Sequence, residues 1–444
     1  MRQPPPAGIA HVKGLPVLGS LIPLRRDALE FFSAVLREHG DRVQFRILGR
    51  TVLLLCHPRD IESVLVRDRD AYGRSVEIRK LRPIFGDGLL ASEGERWRRQ
   101  RMLIQPSFQP GALARYSAIM LATLAESTRA WRAGEIRDIH GEMMKYTRET
   151  ICRVLFGDEF AASRPEVAAA VSIVFGDLRS EILYLPVWRR FPLPRVRRWN
   201  RAVDLIDRAI EDAILARRAS GAKRDDLLQA LLAARGPAGE SMTDRQIHDE
   251  TLTFFLAGHE TAALSLTWAA YLLALNPDVQ QRLGQEVRSV AHGRDLTPED
   301  YPKLRWTGAV VKEAMRLYPS VWSMGRVAVA DTELGGSPVA RGTDVWICLY
   351  RLHRDARWFP EPDRFMPERW LANHSQAPFT YLPFGVGERV CIGQRFAMME
   401  AVFGIATLMS RFRLTLAGDQ PACLSAWITL RPKNPILLRL ASSA

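Results

Sequence analysis

Cysteine is scarce in this chain. The five cysteines among 444 residues stand at positions 56, 152, 348, 391 and 423. None belongs to a CxxC pair, which excludes the common structural zinc spacings and any evident iron–sulfur segment. Their odd number and wide separation point to a reducing compartment. The first residues contain no apolar run of signal-peptide or membrane-spanning length, so the expectation is a soluble, cytoplasmic protein without a membrane anchor. No Gly/Ser tract or low-complexity segment divides the chain, and one catalytic unit over residues 1–444 is expected, with residues 1–20 a loosely packed segment. No HExxH pattern occurs, and His259 has no partner histidine nearby, so it reads as an ordinary helix residue hydrogen-bonded locally. Basic residues outnumber acidic ones by 62 to 49, a formal charge of +13. The cluster Arg189, Arg190, Arg195, Arg197 and Arg198 lacks the zinc-finger or glycine–aromatic motifs of nucleic-acid binders and reads as a solvated basic face, with no nucleic-acid partner.

Against these absences, one loop stands out. Phe384, Gly385, Gly387, Arg389, Cys391 and Gly393 place a cysteine after a glycine-rich turn and directly ahead of a helical pattern that begins at Gln394. Glycines permit turns closed to other residues and close approach to a flat group. A thiol at a helix N-terminus is biased towards the thiolate, a strong donor to a haem iron. Taken alone, Cys391 could equally be a buried structural cysteine.

Three more segments have a chemical reading. Residues 95–103 read as helix up to Pro106, which puts Trp97 and Arg101 on one face; in isolation this is a basic surface helix with one anchoring tryptophan. A long apolar helix starts at a Thr243/Gln246 capping box and ends near Asn276 and Pro277. Its interior carries Gly258, Glu260 and Thr261, a costly polar pair in an apolar span unless it functions or is internally paired. A further helix, stopped by Pro319, sets Glu313 and Arg316 one turn apart. Upstream, residues 43–48 and 51–55 read as a hairpin turning at Gly49 and Arg50, residues 14–20 as a loop, and Pro58 as a helix start.

In this order, the segments resemble the cytochromes P450, the haem-thiolate monooxygenases of soluble bacterial type. The ordered match runs from Trp97 to Glu400. The resemblance implies a mainly α fold with a smaller β region and a haem b (iron protoporphyrin IX) ligated by Cys391. Trp97, Arg101, Arg326 and Arg389 are then the haem-propionate partners, and Glu260 and Thr261 the proton route that supports dioxygen activation. Ala262 stands where many members have a second threonine. Glu313 and Arg316 form the family's ExxR element, completed by Arg369 from the segment Pro367, Glu368, Arg369, with Trp370 in place of the more usual phenylalanine. The segment around His353 matches a connector with a structural role.

The implied activity is insertion of one atom of dioxygen into a lipophilic small molecule, such as a fatty acid, terpene, steroid or macrocycle, most simply by hydroxylation. Electrons would come from a separate ferredoxin or flavodoxin with an NAD(P)H-dependent reductase, for which the basic face could be a landing surface. Residues 71–90 and 171–185 are the expected substrate roof. A hydrogen-peroxide-driven peroxygenase and a non-catalytic haem sensor are the rival readings, and the intact Glu260–Thr261 pair argues against both.

Overall fold

The computed structural model describes residues 8–158, 160, 166–167, 169–174, 193–221, 224–371, 376–418, 421–426 and 428–442. Arg189 and Arg190 of the basic cluster, and residues 175–185 of the expected roof, lie outside them. The chain divides into two compact units.

The first unit comprises Met1–Arg79, Ala309–Cys391 and Pro421–Asn434. Its centre is a six-stranded sheet in the order Ala10–His11, Arg42–Ile47, Arg50–Leu55, Asp344–Cys348, Ser323–Ala328, Tyr72–Arg74. The run Val52, Leu53, Leu54, Leu55 is buried throughout, as a strand covered on both faces requires. It pairs in parallel with Asp344–Cys348 and antiparallel with Arg42–Ile47. The hairpin register pairs Ile47 with Arg50, so the turn consists of Leu48 and Gly49, both at positive φ, one position earlier than the sequence suggested. Two left-handed residues give the turn a twist that matches the flanking strands.

Against this sheet packs the helix Ala28–His39, capped by Asp27, which accepts the Glu30 N–H at 3.0 Å. Leu29, Phe32, Val35 and Leu36 form its buried stripe. Phe32 meets Phe45 and Trp322, with ring centroids 6.4 and 5.3 Å away. Residues 12–20 are hydrogen-bonded to the hairpin through Val12 N–H to Gln44 O (2.8 Å) and Ser20 N–H to Arg46 O (2.7 Å).

The second unit comprises Lys80–Gly308, Ile392–Gln420 and Pro435–Ala444 and is mostly helical. Its axis is the helix Asp244–Leu275, opened by the Thr243/Gln246 capping box and ended at Asn276 and Pro277. The helices Ile139–Phe156 and Gln394–Arg411 pack on it. Thr147 donates to the His259 carbonyl at 2.9 Å, and Gly404 packs against the Leu266 side chain, whose Cδ2 a Cβ would meet at 2.5 Å. Other helices of this unit include Gly94–Ile104, Pro110–Thr128 and Pro194–Ser220. A three-stranded sheet joins Phe412–Leu416, Leu437–Ser442 and Ile136–Asp138. Among the described residues no helix is long and apolar enough to cross a membrane.

Candidate functional site

In the first unit, the cysteine loop closes on itself. Cys391 N–H donates to Phe384 O at 2.9 Å, Gly385 N–H to Leu382 O at 3.0 Å and Val390 N–H to Gly387 O at 3.2 Å. Gly385 and Gly387 have φ of 72° and 77°, a conformation costly for other residues. At Gly387 a Cβ would also come within 2.6 Å of the Leu65 carbonyl. Cys391 is exposed, whereas Cys56 and Cys348 are buried and their thiol pKa values are raised by burial. Gly385 lies against Met324, in the strand Ser323–Ala328 that carries Arg326. Arg326 and Arg389 are half-buried.

The loop entry is held by a residue whose partner was not legible in the sequence. His353 Nε2 accepts the Leu382 N–H at 2.9 Å. Burial, then the Arg316 and Arg354 charges, pushes this histidine's pKa down to about 3, so it stays a neutral acceptor. Its carbonyl accepts from Arg316 Nη1 at 2.8 Å, which ties the loop to a buried network.

That network centres on Glu313, which is fully buried. Its Oε1 accepts from Arg316 Nη2 (2.8 Å), Arg369 Nε (3.0 Å) and Met366 N–H (3.0 Å). Its Oε2 accepts from Arg316 Nε (2.9 Å) and Trp370 Nε1 (2.8 Å). The Arg316 guanidinium also donates to the carbonyls of His353, Pro362 and Arg364. Each of its donor groups is thereby satisfied, which a buried guanidinium requires. The Trp370 indole is a fourth side chain in the network, donating where phenylalanine could not. Its signal in the sequence was a departure from a motif, with no hint of a hydrogen bond.

In the second unit, Trp97 and Arg101 lie on the helix Gly94–Ile104 and line a cavity of about 450 Å³ together with Gln105 and Pro106. Trp97 is buried and Arg101 half-buried. The helix Asp244–Leu275 is buried at every position from Ile247 to Leu273 except Ala257, Gly258 and Thr261, which fall on one face at helical spacing. Thr261 Oγ1 donates to Ala257 O at 3.0 Å. Glu260, the preceding residue, is buried. His259 is also buried, with Nδ1 3.2 Å from Phe255 O, and no group of three or more potential metal-ligating side chains occurs among the described residues.

Three turns before Thr261, Asp249 and Glu250 take up the segment around residue 88. Asp249 Oδ2 accepts the Asp87 N–H at 2.8 Å and Glu250 Oε2 the Leu89 N–H at 2.9 Å. Burial pushes the Glu250 carboxyl up to about 8. These contacts were not anticipated, because the partners are more than 160 positions apart in sequence.

A haem requires an accessible soft donor, cations for its carboxylates and an uncrowded apolar face. The first unit offers Cys391, Arg326 and Arg389. The second offers Trp97, Arg101 and the accessible Ala257. In each unit, taken by itself, the residues are of the kinds such a group requires.

The cytochrome P450 family profile matches residues 10–439. The chain is a cytochrome P450. It is 38% identical over 415 residues to cyclooctatin synthase of Streptomyces melanosporofaciens, covering 90% of this chain and 88% of that protein. Cyclooctat-9-en-7-ol 5-monooxygenase of the same organism is 35% identical over 90% of this chain and 88% of its own length. Pentalenene oxygenase of Streptomyces avermitilis is 32% identical over 96% of both chains. As a cytochrome P450 the protein is a haem-dependent monooxygenase with a mainly α fold.

Proposed function

We propose that this cytochrome P450 hydroxylates a terpene or terpene alcohol. The observation that carries the reading is its similarity, over nearly the full length of both chains, to relatives named for oxygenation of cyclooctat-9-en-7-ol and pentalenene. Haem b ligated by Cys391 would supply reductive activation of dioxygen and delivery of one oxygen atom, the other leaving as water, for two electrons and two protons.

The chain's own residues divide the remaining work. Arg326, Arg389, Trp97 and Arg101 hold the propionates by charge-assisted hydrogen bonds. The Thr261 hydroxyl orients water on the accessible stretch in the middle of its helix, and Glu260 passes protons to it from the buried side. Ala257 leaves room for an apolar substrate, while Gly258 admits Ile151, which a Cβ there would meet at 3.3 Å. Glu313, Arg316 and Arg369, with Trp370, hold the segment of residues 353–370 and, through His353, the entry to the cysteine loop. The whole chain acts as a single catalytic domain in the cytoplasm, fed by a separate ferredoxin or flavodoxin and its reductase.

The test is the reduced carbon-monoxide difference spectrum, followed by turnover of pentalenene under ¹⁸O₂ with a ferredoxin, its reductase and NADPH. A red-shifted Soret band of thiolate type, lost in Cys391→Ser, together with one ¹⁸O atom in an alcohol product, is the expected result. A thiolate band that survives Cys391→Ser overturns the ligand assignment. Absence of labelled product across a panel of terpenes, with a competent electron supply, overturns the substrate class.

A further inference from the structure

Residues 86–89 rest directly on the helix Asp244–Leu275, and an acidic pair holds them there. A Cβ on Gly86, where φ is 57°, would overlap the Asp249 carboxylate, and one on Gly88 would lie 2.6 Å from the Asp249 backbone carbonyl. So close an approach of segment to helix requires glycine at position 88. Asp249 accepts the Asp87 N–H and Glu250 the Leu89 N–H, so two successive acids of one helix take alternate amides of the segment. The Gln100 side chain donates to the Asp87 carbonyl at 2.7 Å.

The two acids differ in their surroundings. Asp249 Oδ1 faces Arg245 Nε at 3.0 Å and His248 Nδ1 at 3.3 Å. His248 Nε2 also lies 3.4 Å from Asp207 of the helix Pro194–Ser220. Burial opposes the charge on His248, but its carboxylate neighbours prevail and push it up to about 9. The Asp87 side chain pairs with Arg82 and with Arg96 of the helix Gly94–Ile104. Glu250 is fully buried, and its Oε1 has no hydrogen-bond partner among the described residues. The charge that acts on it is the like charge of Asp249. A carboxylate in that setting is costly, whereas the neutral acid is not.

The position of this contact along the helix gives it a consequence. Glu250 precedes Ala257 by 7 positions and Thr261 by 11, which puts the three within about 20° of one line at 3.6 residues per turn. Residues 86–89 therefore cover the upstream end of the face that is accessible at Ala257 and Thr261, about 10–17 Å further along.

We propose that Glu250 is a positioning residue that latches residues 86–89 over this face while its carboxyl is protonated, and that its ionisation releases the segment and widens the path to Ala257 and Thr261. The latch stands on the contacts above; its effect on access rests on the proposed role of the Thr261 face. Closed, the carboxyl keeps its proton up to about pH 8, whereas in water it ionises in the ordinary carboxylate range. Closure is complete at acid pH, weakens about tenfold per pH unit between pH 5 and 8, and levels off above that window.

The test is residue-resolved hydrogen–deuterium exchange of the full-length, haem-loaded protein at pH 6 and pH 8, read at the Asp87 and Leu89 amides. Glu250→Gln keeps an oxygen for the Leu89 N–H and cannot ionise. The intrinsic exchange rate at each pH is common to both proteins, so their ratio isolates the latch. Exchange of wild type relative to Glu250→Gln is expected to rise roughly 100-fold from pH 6 to pH 8. Asp249→Asn keeps an acceptor for the Asp87 N–H and removes the like charge, so its rise should end at a lower pH. Wild-type near-UV circular dichroism and Soret spectra establish that the variants are folded. A wild-type to Glu250→Gln ratio that stays within threefold across the two pH values overturns the latch. Stopped-flow association of 4-phenylpyridine with the haem iron, followed at the Soret band, should show the same pH-dependent rise relative to Glu250→Gln. This probe does not depend on terpene recognition, so failure of the substrate class leaves the result intact. Exchange that responds to pH while association does not overturns the effect on access.

Discussion

Replacing Glu313 with glutamine keeps the side chain's shape and removes its charge, and the structure sets the consequence. Glutamine's one oxygen can keep the three bonds now made by Oε1, from Arg316 Nη2, Arg369 Nε and Met366 N–H. Its amide nitrogen then faces Arg316 Nε and Trp370 Nε1, two donors that today share Oε2. Two hydrogen bonds become donor–donor contacts, and two guanidiniums lose a shared counter-charge in a site closed to water. Removing one partner of a buried ion pair costs about 3–5 kcal/mol, a large part of a stability of roughly 5–15 kcal/mol. Trp370→Phe deletes one bond to the carboxylate and leaves Oε2 paired with Arg316, so its cost should be about 1.5–2 kcal/mol. Urea unfolding followed by far-UV circular dichroism, with haem content per chain measured in parallel, should rank wild type above Trp370→Phe and Trp370→Phe well above Glu313→Gln. Glu313→Gln within about 1 kcal/mol of wild type, or no less stable than Trp370→Phe, would refute the view that this carboxylate is the counter-charge of the network.

Thr261→Ala removes the hydroxyl from the accessible face of its helix, and the expected result is more peroxide and less hydroxylated product per NADPH consumed; unchanged coupling counts against the proton role. Gly387→Ala forces a Cβ against the Leu65 carbonyl at a positive φ, and should cost about 2–4 kcal/mol and loosen the cysteine loop, seen as a lower melting temperature and loss of the thiolate-type Soret band. Glu250 is raised to about 8 in the folded chain, so between the ordinary carboxylate range and pH 8 the native state holds a proton that the unfolded chain has released. Its contribution to stability is complete below that window and declines as pH rises through it, by about 1.4 kcal/mol per pH unit. Glu250→Gln should flatten the decline in urea titrations between pH 5 and 8, and an unchanged slope would show that another group is responsible.

The sequence by itself determined what depends on neighbours a few residues apart. The Thr243/Gln246 box, Pro277 beyond the long helix, the glycines flanking Arg389 and the Glu313–Arg316 spacing are local, because caps, backbone permissiveness and one-turn pairs act within about four residues. The hairpin was legible as a pair of strands, yet its turn moved by one residue because cross-strand pairing of Ile47 with Arg50 sets the register. The family resemblance already joined Arg369 to Glu313 and Arg316, but only the tertiary structure decided that Met366 and Trp370 also converge on Glu313, from 53 and 57 positions away. It alone paired His353 with Leu382 and Glu250 with Leu89. The face of the long helix that stays accessible was also invisible beforehand. A helix buried on nearly every side, at apolar and polar positions alike, has no polar stripe to mark its orientation, so only the packing around Ala257, Gly258 and Thr261 reveals where it opens.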